Sequence, residues 1–419
     1  MVVTCVAALA LIGLGGLVTS HGVGMAVPDW PNTFGYNMFF FPFSKWVGGV
    51  FYEHSHRLAA SAVGLLTSVL ALWLYGRSAR PSMRWLGAAL LILGAGTRLA
   101  APGRWSDALV LVGTGGALLG ASFIWPRCEP SPKWLRRLGL AAFLAVVLQG
   151  VLGGLRVVLF KDQIGIFHAA LAQLFFVLLC AMAFLTGKTG WEVTGTQSGS
   201  AGVPSAVPRP SVPIGQMRGL TYLLLGATCL IFAQLILGAT MRHQHAGLAI
   251  PDFPGAYGRI WPATDPTSIA HYNQQRIEVV SLNPITATQV ILQMVHRLLA
   301  GVIFGVVAAC TWTAWLTLGA RHALSRLTQL WLGLILIQVL LGAATIWSDK
   351  AADVATAHVL VGALLLAIGV ISSIMSTHDM ILANRVAYGR VGVSPTLGAA
   401  AVSAANVLRG EPAGKTQTS

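Results

Sequence analysis

Residues 52–64 read YEHSHRLAASAVG, and residues 292–305 read LQMVHRLLAGVIFG. Each places a His-Arg pair at the start of a long apolar run in which small residues alternate with large ones. The first has Glu53 three residues ahead of its histidine, His56; the second has Gln293 ahead of His296. Each run is long enough to cross a bilayer as a helix. The duplication predicts an all-α polytopic membrane protein built from a repeated unit.

Composition agrees. The chain is 419 residues, 55% hydrophobic and 10% charged, whereas soluble domains carry about 25% charged residues. Ten candidate spans follow from the apolar runs: 2–20, 50–75, 84–101, 107–125, 138–160, 164–186, 219–240, 288–316, 327–347 and 354–376. The first has no preceding basic region and is followed by further spans. It reads as a transmembrane helix rather than a signal peptide, which leaves room for a start upstream. The net charge of +14 would suggest nucleic acid in a soluble chain. Here it reads as positive-inside charge and contact with anionic membrane lipid; nothing resembles a nucleic-acid module. With the N-terminus inside, 16 of the 27 Lys and Arg fall on inner segments and 11 on outer segments and helix ends. That bias predicts both termini on the cytoplasmic side. Cys5, Cys128, Cys180, Cys229 and Cys310 are scattered and form no C-x-x-C, so no disulfide and no zinc site is expected.

The repeat sets the domain plan. LGGLVTSHGVGMAVPDWPNTFG (14–35) matches LGATMRHQHAGLAIPDFPGAYG (237–258), SHRLAA (55–60) matches VHRLLA (295–300), LQGVLGG (148–154) matches IQVLLGA (337–343), and FHAALA (167–172) matches AHVLVG (357–362). The order is kept through four helices, which predicts two pseudosymmetric, parallel four-helix bundles. His56 and His296 are 240 residues apart but His168 and His358 only 190, so the first half carries an insertion of 50. Residues 82–131 fit as an inserted helix pair. The expected domains are an N-terminal bundle (1–186), a flexible cytoplasmic linker (187–217, rich in Gly, Ser and Pro), a C-terminal bundle (218–378) and a disordered cytoplasmic tail (379–419).

His56, His168, His296 and His358 occupy equivalent places, each in the first third of a helix running from outside to inside. Two histidines at similar depth on parallel helices can clamp a metal macrocycle from both faces, and haem iron accepts imidazole as an axial ligand. A single membrane histidine is often just a hydrogen-bonding residue between helices; four in register point to ligation. Arg57 and Arg297 either snorkel to headgroups or pair with haem propionates, as guanidinium matches carboxylate. Arg156 and Arg242, at outer helix ends, are weaker candidates for the same role. Glu53 shares a helix face with His56 and is either interfacial or proton-active. Gln293 cannot exchange a proton, so the two sites are chemically unequal. His54 points away from His56 and reads as a loop or interface residue. The loops carry PDWP (28–31) and PDFP (251–254), which predict rigid turns.

Taken together, GGLVTS, VPDWP, E-x-x-H-R, QGVLGGLRV, FHAALAQ, IPDFP, Q-x-x-H-R and AHVLVG resemble the haem A synthase family over about residues 10–80 and 133–376. The resemblance implies an eight-helix core, here with two added helices. It implies an oxidoreductase that converts the C8 methyl of haem O to a formyl group by successive hydroxylations. It would put the haem O substrate and haem A product at His56 and His168, and a haem b cofactor at His296 and His358. Glu53 matches the family's functional glutamate. Some members carry a cysteine pair in the first outer loop, and this chain has no cysteine between positions 6 and 127. Implied partners are a haem O synthase, cytochrome oxidase assembly factors and an unidentified electron donor and acceptor, in a bacterial inner membrane with the haem sites toward the outer face. A non-catalytic bis-His cytochrome b electron carrier would explain the histidines but not the Glu53/Gln293 difference. A repeat-built transporter would need broken helices, and the spans lack mid-helix Pro.

Overall fold

The computed structural model describes residues 1–187, 213–275 and 284–391. Most of the expected 187–217 linker and the tail beyond 391 lie outside the described residues. The helices are α1 (Val2–Ser20), α2 (Gly48–Tyr75), α3 (Ala79–Ala100), α4 (Trp105–Ile124), α5 (Lys133–Leu159), α6 (Asp162–Thr186), α7 (Ile214–His243), a short α8 (Pro266–Gln275), α9 (Ala287–Leu318), α10 (Ala323–Trp347) and α11 (Ala352–Val391). There is no strand among the described residues. In lipid the backbone must satisfy its own hydrogen bonds, and helices do so within each span.

Nine apolar stretches among the described residues are long enough to cross a membrane, and one of them, Gly48–Ala100, has 53 residues. As one helix it would be about 80 Å long, far beyond the ~30 Å hydrocarbon core. It breaks at Gly76, where φ is +52°, a conformation that glycine adopts without a steric penalty. The stretch is therefore two spans, α2 and α3, and the ten spans read from the sequence correspond to ten long helices. The chain is an all-α, multi-pass membrane protein.

Helices α1, α2, α5 and α6 close one ring of neighbours, and α7, α9, α10 and α11 close another; α1 and α6 meet α11, and α6 meets α7. Small residues make the close approaches that lipid-embedded helices depend on. A β-carbon on Gly16 would lie 3.0 Å from Thr356 of α11, and one on Gly165 would lie 2.4 Å from the His243 ring of α7. Inside the second ring, the Trp331 indole N–H donates to the Leu365 carbonyl at 2.9 Å, and the Thr221 and Ser376 hydroxyls pair at 2.8 Å. Such interhelical bonds contribute about 0.6 kcal/mol each in a membrane.

In each ring a long loop joins the first pair of helices and a short turn joins the second. The first long loop covers residues 21–47, the described part of the second covers 244–275 and 284–286, and the short turns use the left-handed residues Phe160, Asp349 and Lys350. Both loops and both turns lie at one end of the bundle, called here the loop end.

The inserted pair, α3 and α4, packs mainly on itself. A β-carbon on Gly87 would lie 2.8 Å from the Gly115 carbonyl oxygen, and one on Gly115 would lie 2.7 Å from that of Gly87. The insertion leaves and rejoins the bundle at a single point, where the Ser131 N–H donates to the Leu74 carbonyl at 2.9 Å. At the other end of the chain, α11 runs to Val391. The first thirteen residues assigned to a disordered tail (379–391) are therefore helical backbone, because a helix can continue past the apolar stretch that marks its span.

Because residues 74 and 131 are already neighbours, excising 77–129 and joining Gly76 to Pro130 should leave the two rings intact. The expected result is a monodisperse protein in detergent with a single cooperative melt. Aggregation or loss of that transition would show that the hairpin supports the core.

Candidate functional site

The four repeat-equivalent histidines share one environment, and the helix before each one builds it. A β-carbon on Gly15 would lie 3.1 Å from Cε1 of His56; on Gly153, 3.4 Å from that of His168; on Gly238, 3.4 Å from that of His296; and on Gly342, 3.2 Å from that of His358. Each ring thus lies edge-on against a bare stretch of helix, and in all four the Nδ1 atom is sealed and has no hydrogen-bond partner. One turn before three of these glycines stands a glutamine. Gln149 donates to the His168 carbonyl at 3.0 Å, Gln234 to that of His296 at 2.9 Å, and Gln338 to that of His358 at 3.0 Å. Leu11 takes the fourth position. Matching half with half does not reveal this pattern, but the four hairpins set against one another share (Gln/Leu)-x-x-x-Gly.

The histidines fall into two pairs within electrostatic reach, His56 with His168 and His296 with His358. Among the described residues no group of three or more His, Cys, Asp or Glu could hold a metal ion. Two imidazoles per ring are too few for a bare ion.

The long loops are latched by the residues around the two His-Arg motifs. The Glu53 side chain is 5% exposed and that of Arg57 10%, and they pair at 2.7 Å. Glu53 Oε2 accepts from the Val27 N–H at 2.9 Å, and Arg57 donates to the carbonyls of Val27, Asp29 and Asn32 at 2.9, 2.7 and 3.0 Å. The second half repeats the arrangement. Gln293 Oε1 accepts from the Ile250 N–H at 2.7 Å, and Arg297 donates to the carbonyls of Asp252 and Gly255 at 2.8 Å. Asp29 accepts from the N–H groups of Phe34 and Gly35, and Asp252 from those of Tyr257 and Gly258. The irregular parts of a loop must still satisfy their buried backbone groups, and these six side chains bond to many of them. The structure therefore engages Arg57 and Arg297 with loop carbonyls. Those acceptors are backbone atoms and carry no sequence signature.

The loop also reaches the site. The Trp30 indole lies flat on Gly154, where a β-carbon would come within 2.3 Å of it, next to the Gly153 that seats His168. His54, read from the sequence as a loop or interface residue, is instead fully buried in α2 beneath the loop, with Nδ1 3.2 Å from the Thr33 hydroxyl and its ring between Phe41 and Trp46. Arg156 lies within electrostatic reach of His56, His168 and Arg242. Arg242 donates to the Gly16 carbonyl and the Ser20 hydroxyl of α1, across the contact between the rings.

Fold and site define a multi-pass helical membrane protein with two internal pairs of half-buried histidines. Residues 105–370, more than half of the chain, match the COX15-CtaA family, described as cytochrome oxidase assembly protein. The chain belongs to that family. It is also 32% identical over 143 residues to Heme A synthase of Shewanella oneidensis, a match that covers 34% of this chain and 41% of that relative's length.

Replacing Glu53 with Ala strands the Arg57 guanidinium and the Val27 N–H. Removing one partner of a buried pair costs about 3–5 kcal/mol, so Glu53→Ala should melt well below the parent and open residues 24–36 to protease. Glu53→Gln should stay close to the parent, because Gln293 already holds the second loop this way. Equal melting temperatures and equal proteolysis for all three proteins would contradict the latch.

Proposed function

We propose that this chain is a haem A synthase, oxidising the C8 methyl of haem O to a formyl group by successive hydroxylations. The observation that carries the reading is the fourfold contact of glycine with histidine, which keeps two imidazole pairs in register inside the bundle. The family membership and the name of the Shewanella relative support it. The residues fit a haem. The Nδ1 atoms of all four rings are sealed without a hydrogen-bond partner, and only the His358 ring meets a neighbouring helix through Nε2, 3.4 Å from the Gln338 amide, so helix-to-helix hydrogen bonding does not account for the set. Two imidazoles complete the coordination of an iron that already has four porphyrin nitrogens.

On this reading His56 and His168 hold the substrate, haem O, in the first ring of helices, and His296 and His358 hold haem b in the second. Bound there, haem b would supply one-electron transfer. Within the first ring Trp30 packs on Gly154, beside the glycine that meets His168. Glu53 is the residue with proton chemistry available to it. Its Oε1 is held by Arg57, and proton uptake at that atom would weaken the pair. Gln293 preserves the same latch without an exchangeable proton, which suits a half that only passes electrons. The setting proposed is a bacterial inner membrane, with both termini cytoplasmic and the loop end outward. A haem O synthase and cytochrome oxidase assembly factors are the proposed partners.

The test is expression with haem O supplied, followed by extraction of the non-covalent haems and mass identification. The expected products are haem A and its hydroxylated precursor, lost in His56→Ala and His168→Ala. Glu53→Gln, which keeps the loop, should abolish or sharply reduce haem A. Full output from that variant would limit Glu53 to latching. Haem b alone, two per chain and indifferent to haem O, would make the protein a bis-His electron carrier.

A further inference from the structure

Both His-Arg arginines are turned to the long loops and hold loop carbonyls, although the Arg297 Nε is sealed without an acceptor. Two other guanidiniums stand at the level where a ligand's charged edge would emerge. Arg242 follows Gly238 by four residues, and Arg156 follows Gly153 by three. Each is thus one helical turn nearer the loop end than the glycine that seats an axial histidine, on the same helix face. Thr19 and Thr345 hold the corresponding places in the other two hairpins. Each half therefore has one arginine and one threonine there, in opposite order. Arg242 donates only to neutral oxygens, the Gly16 carbonyl and the Ser20 hydroxyl, and its Nε is sealed from solvent without an acceptor. A cation held this way at the edge of a bilayer calls for an anion.

We propose that Arg242 receives a carboxylate of the macrocycle held by His296 and His358, with Arg156 in the corresponding role in the first half. This rests on the reading of these histidines as haem ligands. The macrocycle's apolar edge then faces the buried hydrocarbon core and its propionates face the loop end. A guanidinium is the side chain best matched to a carboxylate. Its charge would also favour the ferrous over the ferric state by simple Coulomb attraction and repulsion, so Arg242 would help set the potential of the second site. Arg242 also ties α7 to α1, so the ligand's carboxylate would brace the contact between the two rings.

The test uses the full-length protein purified with its haem. Optical redox titration of the low-spin haem should give a lower midpoint potential for Arg242→Gln than for the parent, with Arg242→Lys in between. Transfer of haem to excess apomyoglobin should be roughly ten- to a hundredfold faster for Arg242→Gln, as expected for losing a charged hydrogen bond. Haem dimethyl ester, which has no free carboxylate, should leave the parent as fast as haem leaves the Arg242→Gln variant. Unchanged potential and unchanged transfer in Arg242→Gln would overturn the proposal. If that variant does not fold, equal retention of haem and its diester by the parent overturns it, and faster loss of the diester supports it. A parent whose haem is unaffected by His296→Ala and His358→Ala would instead overturn the ligand assignment, and with it the functional reading.

Discussion

A glycine backbone against the edge of an imidazole is the contact on which the arrangement depends. It occurs four times, and each time it fixes two things together. It brings the helix that carries the glycine close to the helix that carries the histidine, and it holds the ring in one orientation with one nitrogen sealed. A β-carbon in place of Gly15 or Gly342 would press on the ring at 3.1 or 3.2 Å, so the ring would have to give, whereas at Gly153 and Gly238 it would make ordinary contact at 3.4 Å and leave no room for a larger side chain in that direction. In a membrane, where apolar burial does not drive helices together, close packing of this sort is a main source of association. The contact that positions the ligands is therefore also part of what holds each hairpin shut.

The loops are latched by a second repeated device that the two halves execute with different chemistry. A side-chain oxygen one turn ahead of the histidine accepts from a loop N–H, and the arginine that follows gathers the loop carbonyls. An amide and a carboxylate do this equally well in geometric terms. What differs is that the carboxylate can exchange a proton. The fold thus tolerates either residue, and the choice between them is left to chemistry.

Much of this was legible in the sequence. The spans could be read from hydropathy and the two halves from matched segments, while the insertion followed from unequal spacings between histidines. The four histidines stood out because they recur in register. The glycines that seat them were harder to read, because glycine is common in these helices and Leu11 interrupts the glutamine pattern in the first hairpin. The destinations of Arg57 and Arg297 were not readable, since a guanidinium bound to a backbone carbonyl looks in sequence like one bound to a ligand. The length of α11 is hard to read for a different reason: hydropathy reports where a helix lies in lipid, and α11 runs on past Leu382, where its apolar span ends, through a stretch that carries Arg385 and Arg390.

The hairpin, rather than the half, is the smallest unit that carries the whole motif, with one helix giving the glycine and the next the histidine. All four hairpins point the same way, with their connections at the loop end. A short two-helix peptide able to pair with copies of itself would already present two facing imidazoles. Such a peptide, copied and fused twice, gives the present order of helices. Copies joined in one chain need not stay identical: one hairpin has Leu11 where the others have glutamine, the two arginines stand in opposite order, and the added helix pair lies in one half alone.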